Sequence, residues 1–154
     1  MKRTVYLAGP IAGLTEDQAK DWRLQINQEL KDKSFGGIVG ISPLRCETAI
    51  DGRYDILGSG QGQDARFGTV EAIAAKNDFD VRNCDMMLAL LEDKSSAGTL
   101  VEIGMAKALN KPVIVVSDNP DVRGHPLIRH CASWVLTYLD EAVDVIIGVM
   151  EDYT

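Results

Sequence analysis

Two uninterrupted apolar runs constrain this chain most. Met86-Met87-Leu88-Ala89-Leu90-Leu91 and Val113-Ile114-Val115-Val116 have the length of strands and carry no polar residue. A strand with one wet face alternates apolar and polar residues. A strand without alternation has both faces covered, which is the condition of a central strand in a parallel sheet between two helical layers. The rest of the chain fits that frame. Thr4–Ala8 is a short β-prone run closed by Gly9-Pro10, Gly37–Ile41 is a second, and Ser133–Tyr138 a last one. Helical patterns separate them. Thr15-Glu16-Asp17-Gln18 is a capping-box sequence, and Ala19, Trp22, Ile26 and Leu30 then recur at helical spacing to about Lys31. Val70–Asp78 reads as a helix that extends toward Asn83. Gly98-Thr99 opens another, which Asn110-Lys111-Pro112 stops, and Asp140 is the expected cap of a final helix carrying Ala142, Val145, Ile146 and Val149. The stretch 46–67 is glycine-rich and aperiodic, and a loop of that length in a compact domain is usually functional. Strand and helix thus alternate about five times. The expected fold is a single α/β domain, a three-layer sandwich with about five parallel strands, spanning residues 1–154 without an interior linker.

Composition narrows the function. The chain has 154 residues, enough for one core, and a net charge of −7. An acidic chain lacks the basic face that nucleic-acid binding requires, so a small-molecule partner is expected instead. No apolar run approaches the roughly 18 residues of a membrane span, and the N-terminus is too short in apolar length for a signal peptide. Cys46, Cys84 and Cys131 are odd in number and form no CxxC pair. Reduced thiols and a cytoplasmic location are therefore expected. With His125 and His130 the only histidines, no ligand spacing supports a metal site.

In an open parallel sheet, ligands lie beyond the carboxyl ends of the strands. Two small-residue segments occupy such ends: Gly9-Pro10-Ile11-Ala12-Gly13, and the stretch from Glu92 to Thr99. Neither is a P-loop or a dinucleotide fingerprint. Both allow backbone amides close to a ligand, and both also suit plain tight turns. Glu102 follows the second segment. Placed in the first turn of its helix, it is expected to stay ionised near neutral pH, because a helix N-terminus stabilises a carboxylate. A positioned carboxylate is what attack on the anomeric carbon of a sugar requires. The same spacing also describes an ordinary first-turn glutamate.

Taken in order, Tyr6-Leu7-Ala8-Gly9-Pro10, Asn77-Asp78 with Cys84-Asp85, Gly98-Thr99-Leu100-Val101-Glu102-Ile103-Gly104-Met105-Ala106 and Lys111-Pro112-Val113-Ile114 resemble the nucleoside 2-deoxyribosyltransferase family. The Gly-Thr-x-x-Glu-x-Gly-x-Ala segment is the most specific part. Trp22-Arg23 and Ser42-Pro43-Leu44-Arg45 are similar but less distinctive. The resemblance implies a Rossmann-like, flavodoxin-like fold and exchange at the N-glycosidic bond of 2′-deoxynucleosides, with no metal or redox cofactor. It implies Glu102 as nucleophile through a deoxyribosyl ester, Tyr6 orienting it, and Gly9 and Gly98 against the substrate. It implies a free nucleobase as second substrate and a homo-oligomer, with His125, Arg129 and His130 in a late loop able to reach a neighbouring subunit's site.

The chain departs from the family in two places. Counting back from Asp85, Asn77 stands where the family has a base-binding Asp, with Asp78 next to it. Neighbouring helical residues point about 100° apart, and an amide cannot donate the proton an acid would. Either a one-residue shift brings Asp78 in as the acid, which is the preferred reading, or the acid is weakened or lost, with Asn77 as a base-binding residue in either case. Ser96, six residues before Glu102, stands where many members have an Asp. It is similar to the residue that faces phosphate in the related deoxynucleoside 5′-monophosphate N-glycosidases, with Arg23, Arg45 or Arg53 able to complete such a pocket. Ser96 equally suits a cap on the following helix. Three readings stay open here: a deoxyribosyltransferase, a monophosphate N-glycosidase, and a nucleotide-binding module without turnover. A receiver-like signalling domain fits poorly, since Lys111 precedes its strand rather than following one.

Overall fold

The computed structural model describes residues 1–45, 47, 51–54, 66–93 and 96–151. Most of the 46–67 stretch, with Cys46, lies outside them, as do Lys94 and Ser95. Strands β1 (Arg3–Ala8), β2 (Ile38–Ile41), β3 (Met86–Leu90), β4 (Val113–Val116) and β5 (Trp134–Leu136) form one sheet in the order β2-β1-β3-β4-β5. Every pair is parallel, with Val5 opposite Met86 and Met87 opposite Val113. This is the flavodoxin-like order, whose direction of progression reverses between β1 and β3.

The two apolar runs are the middle of that sheet. β3 and β4 are buried nearly throughout, and their alternate residues enter two separate cores. Met86, Leu88, Ile114 and Val116 join Val5 and Leu7 under helices α1 (Glu16–Lys33) and α6 (Leu139–Met150), where Ile26, Leu30, Ala142 and Ile146 meet them. Met87, Ala89, Val113 and Val115 join Tyr6 and Ala8 on the opposite face. There Val81 of α2 (Val70–Asn83) and Ile103 and Ala106 of α3 (Ala97–Ala108) cover them. Burial on both faces explains why neither run tolerates a polar residue.

Local chemistry sets the ends of the helices. Thr15 Oγ1 accepts from Gln18 N at 3.2 Å while Gln18 Oε1 accepts from Thr15 N at 3.0 Å, so the capping box forms as its sequence requires. α3 ends on Asn110, whose φ of 57° is the left-handed turn. Lys111 N then reaches back to Ala106 O and Asn110 N to Lys107 O, the bond pattern of a Schellman C-cap. Asp85 ties β3 to β1: its carboxylate accepts from Thr4 N at 2.7 Å. Cys84 and Cys131 are free thiols.

Two expectations need correction. The cap of α6 is Tyr138, two residues before Asp140, and Glu141 reaches back to the Tyr138 amide. Asp140 sits inside the first turn, where its charge still suits the helix end. The late loop is largely helical: α4 (Pro120–Arg123) is a single turn and α5 (Pro126–Cys131) less than two, each opened by Pro. His125 caps α5, its Nδ1 accepting from Leu127 N at 3.3 Å. Arg129 and His130 are exposed on α5 and do not line the cleft of their own chain.

Candidate active site

A cleft of about 1090 Å³ opens at the carboxyl edge of β1 and β3, at the reversal point of the strand order. Most of its wall comes from four places. Gly9 to Ala12 lead out of β1, and Asp17, Asp21 and Trp22 stand on α1. Val70, Ile73, Ala74 and Asn77 form one face of α2. Glu92 to Thr99, where described, leads from β3 into α3, which contributes Glu102.

The floor is a tyrosine–carboxylate pair. Tyr6 is completely buried on β1, and its hydroxyl donates to Glu102 Oε2. The strand fixes the tyrosine, and the helix that follows β3 brings the carboxylate over it. Burial pushes the Glu102 carboxyl above its ordinary range, while the Tyr6 hydroxyl and the charges of Arg23 and Lys76 pull it back. This corrects the first-turn placement on which the electrostatic expectation rested. α3 begins at Ala97, so Glu102 lies in the second turn, beyond the amides that would stabilise it. Desolvation therefore outweighs the helix end. The Tyr6 phenol is raised strongly, by burial first and by the neighbouring Glu102 second.

The glycines meet different constraints. A methyl group on Gly9 would stand 2.9 Å from the Trp22 ring and 3.2 Å from the Leu90 carbonyl, so the β1–α1 turn closes only without a side chain. A methyl group on Gly98 would meet no protein atom within 4 Å, so this glycine leaves open space beside the start of α3. Ser96 precedes that helix but does not cap it through its side chain. Its hydroxyl is 2.6 Å from the buried Thr99 hydroxyl.

Asn77 and Asp78 part as helical geometry requires. Asn77 lines the cleft, and its Oδ1 accepts from Lys76 Nζ at 2.9 Å. Asp78 turns out of the cleft and pairs with Arg82 at 2.8 Å on the exposed side of α2. The structure does not bring Asp78 to Glu102. The three arginines considered for a phosphate are engaged elsewhere. Arg23 is 2% exposed and donates to the carbonyls of Leu7, Ala19 and Gly9 beneath the cleft. Burial lowers its guanidinium pKa to about 10. Arg45 holds both carboxylate oxygens of the buried Asp80 at 2.9 Å. Arg53 donates to Gly13 O, and residues 51–54 strap the β1–α1 turn through Tyr54, whose N–H donates to Leu14 O.

Trp22 has two parts. It packs against the α1-side core, as its place on the apolar stripe implies, and it also lines the cleft. Sequence reading missed Glu47, which lines the cleft next to Lys76, with Nζ 4.0 Å from its carboxylate. It falls in the aperiodic stretch, where no spacing marks it. Among the described residues no three His, Cys, Asp or Glu side chains gather into a set able to hold a metal ion. Among them, too, no helix is long and apolar enough to cross a membrane.

Fold and site together define an α/β protein with a buried tyrosine-bound carboxylate in a switch-point cleft sized for a small molecule. The family model for nucleoside 2-deoxyribosyltransferase matches residues 5–144, and the chain belongs to that family. No curated protein shows a significant sequence match. Among solved structures the chain is similar to one described as the molybdenum cofactor binding protein from the phototrophic bacterium Rippkaea orientalis. The two share 15% identity with a TM-score of 0.61, over 98% of this chain and 99% of that one. At that identity the likeness is one of fold alone.

Proposed function

We propose that this protein cleaves the N-glycosidic bond of unphosphorylated 2′-deoxynucleosides and transfers the sugar to a second base. The Tyr6–Glu102 pair on the cleft floor of a member of this family carries the reading. The Glu102 oxygen not bonded to Tyr6 attacks C1′ as the base departs with the bonding electrons, leaving a deoxyribosyl ester. A second base then attacks C1′ from the side the first one left, and Glu102 departs as carboxylate. Two inversions give net retention. Tyr6 holds the carboxylate in its attacking orientation. Gly98 keeps the substrate's path clear, Gly9 lies against the substrate at the turn after β1, and Ser96 lies beside the sugar. Asn77 hydrogen-bonds the base through its amide N–H, since Lys76 occupies its oxygen.

The wall charges support an unphosphorylated sugar. Asp17, Asp21, Glu92 and Asp93 line the cleft at its rim and Glu102 its floor, and no Lys or Arg lines it among the described residues. A phosphate dianion would enter against several like charges, a cost of several kcal/mol where water is partly excluded. A hydrolase for 5′-monophosphates would have to hold the phosphate by hydroxyls and backbone amides against those charges.

A product assay tests this. Each deoxynucleoside and its 5′-monophosphate is incubated with and without a second free base, for the wild type and Glu102→Ala. A new deoxynucleoside is expected only with added base and only from unphosphorylated donors, with at least about a 10³-fold loss in the variant. Free base released from monophosphates alone would replace the transferase by the N-glycosidase reading. No turnover of any donor would leave a binding module.

A further inference from the structure

Loss of an acid at Asn77 leaves the departing base without an evident proton source, yet two of the cleft's carboxyls are withdrawn from solvent. Asp17, Asp21, Glu92 and Asp93 are exposed at the rim, whereas Glu102 and Glu47 are not. The Glu47 side chain is only 8% exposed.

Its placement is built by the chain around it. Glu47 N donates to Leu44 O at 3.0 Å, closing a turn after β2. That turn is fixed to α2 at two points: Lys76 donates to Pro43 O, and Arg45 grips Asp80. Lys76 also lies between the Glu47 carboxylate, at 4.0 Å, and the Asn77 amide oxygen, at 2.9 Å. The Glu47 carboxyl and the Asn77 amide are thus neighbours on the wall that α2 presents to the base.

Resting on the deoxyribosyl-transfer reading above, we propose that Glu47 is a catalytic acid–base residue, which protonates the departing base and deprotonates the incoming one. In the first half, the Glu47 proton passes to a ring nitrogen of the base as the C1′–N bond breaks, its electron pair stays on the base, and Glu102 closes the ester. In the second, an N–H of the incoming base gives its proton to the Glu47 carboxylate while that base bonds C1′ and Glu102 is released. No co-reactant beyond the two bases is needed. The groups facing Glu47 suit a residue that must hold and release a proton. Burial raises its carboxyl above the ordinary range, while Lys76 from α2 and Arg23 from α1 draw it down again. Glu102, from α3, is raised by burial first, with a smaller push from the nearby Glu47. Two carboxyls in one cleft, one attacking and one transferring a proton, divide the work by environment.

The test compares leaving groups. Wild type, Glu47→Gln and Glu102→Gln are assayed on a deoxynucleoside and on p-nitrophenyl 2-deoxyriboside, whose leaving group departs without protonation. In single turnovers, which read the first half alone, Glu47→Gln is expected to lose about 10²–10³-fold in the rate of base release from the deoxynucleoside and less than about threefold in the rate of p-nitrophenolate release from the aryl sugar. Equal losses on both, or no loss on the deoxynucleoside, would overturn the proposal. Wild type alone gives a second readout that needs no folded variant. An alkaline fall in the single-turnover rate is expected on the deoxynucleoside and absent on the aryl sugar, and the same limb on both would contradict the assignment. Glu102→Gln should be inactive on both substrates. If it cleaves the aryl sugar at the wild-type rate, the underlying transfer reading fails rather than the role of Glu47.

Discussion

Tyr6 and Glu102 are separated by 96 positions in sequence, and one hydrogen bond joins them at the base of the cleft. The donation keeps the buried carboxyl lower than burial alone would leave it. Tyr6→Phe removes it without changing the packing volume much. The variant is expected to lose about 10–100-fold in kcat, the worth of one hydrogen bond to a charged group. A second effect follows by sign. On the proposed reading Glu102 attacks as a carboxylate, so the rate is expected to rise as pH climbs through its pKa. Without the phenol that pKa moves up, and the acid limb of the kcat/KM profile shifts to higher pH. A pH series on the two proteins checks both effects, and an unmoved limb would separate Tyr6 from Glu102. At this scale the sequence named the pair but put Glu102 a turn too close to the start of its helix. Spacing located Glu102 near a helix start, yet only coordinates show α3 beginning at Ala97 and the cleft desolvating the group. Asn77 and Asp78 differ by a third of a turn, which a one-residue alignment shift cannot resolve and the pairing of Asp78 with Arg82 does.

The elements that hold the site were legible where they repeat and obscure where they do not. The capping box, the apolar strands and the Asn110 stop are short-range chemistry, and each appears where its residues demand it. α4 and α5 run to less than two turns each, too short to show a helical period. The turn carrying Glu47 has no period at all. It is placed by long-range contacts, and its strongest tether is the two-pronged Arg45–Asp80 pair. Arg45→Ala would leave the Asp80 carboxylate buried without that partner and is expected to cost about 2 kcal/mol. Chemical denaturation measures this. Activity should fall further than the lost stability explains, because the wall bearing Glu47 loosens. A variant as stable and as active as wild type would show that Arg45 holds nothing in place.

Across the whole molecule, the parallel order β2-β1-β3-β4-β5 puts the cleft at the one place where strand progression reverses. Neighbouring β1 and β3 send their following helices to opposite faces there, so a gap opens between α1 and α3. The alternation of strands and helices announced such a sheet, but which strands are adjacent is a tertiary fact that periodicity does not encode. The sheet then supplies one residue of the pair directly, Tyr6, and aims the other through α3. The central claim is that the carboxylate so placed bonds covalently to a sugar. Rapid acid quench of the enzyme with a 2′-deoxynucleoside, followed by mass spectrometry of the intact chain and its peptides, tests it most directly. The expected result is an added deoxyribosyl group on the peptide containing Glu102, discharged by a second base and absent from Glu102→Gln. Steady turnover with the adduct on another residue, or wild-type turnover by Glu102→Gln, would contradict the account.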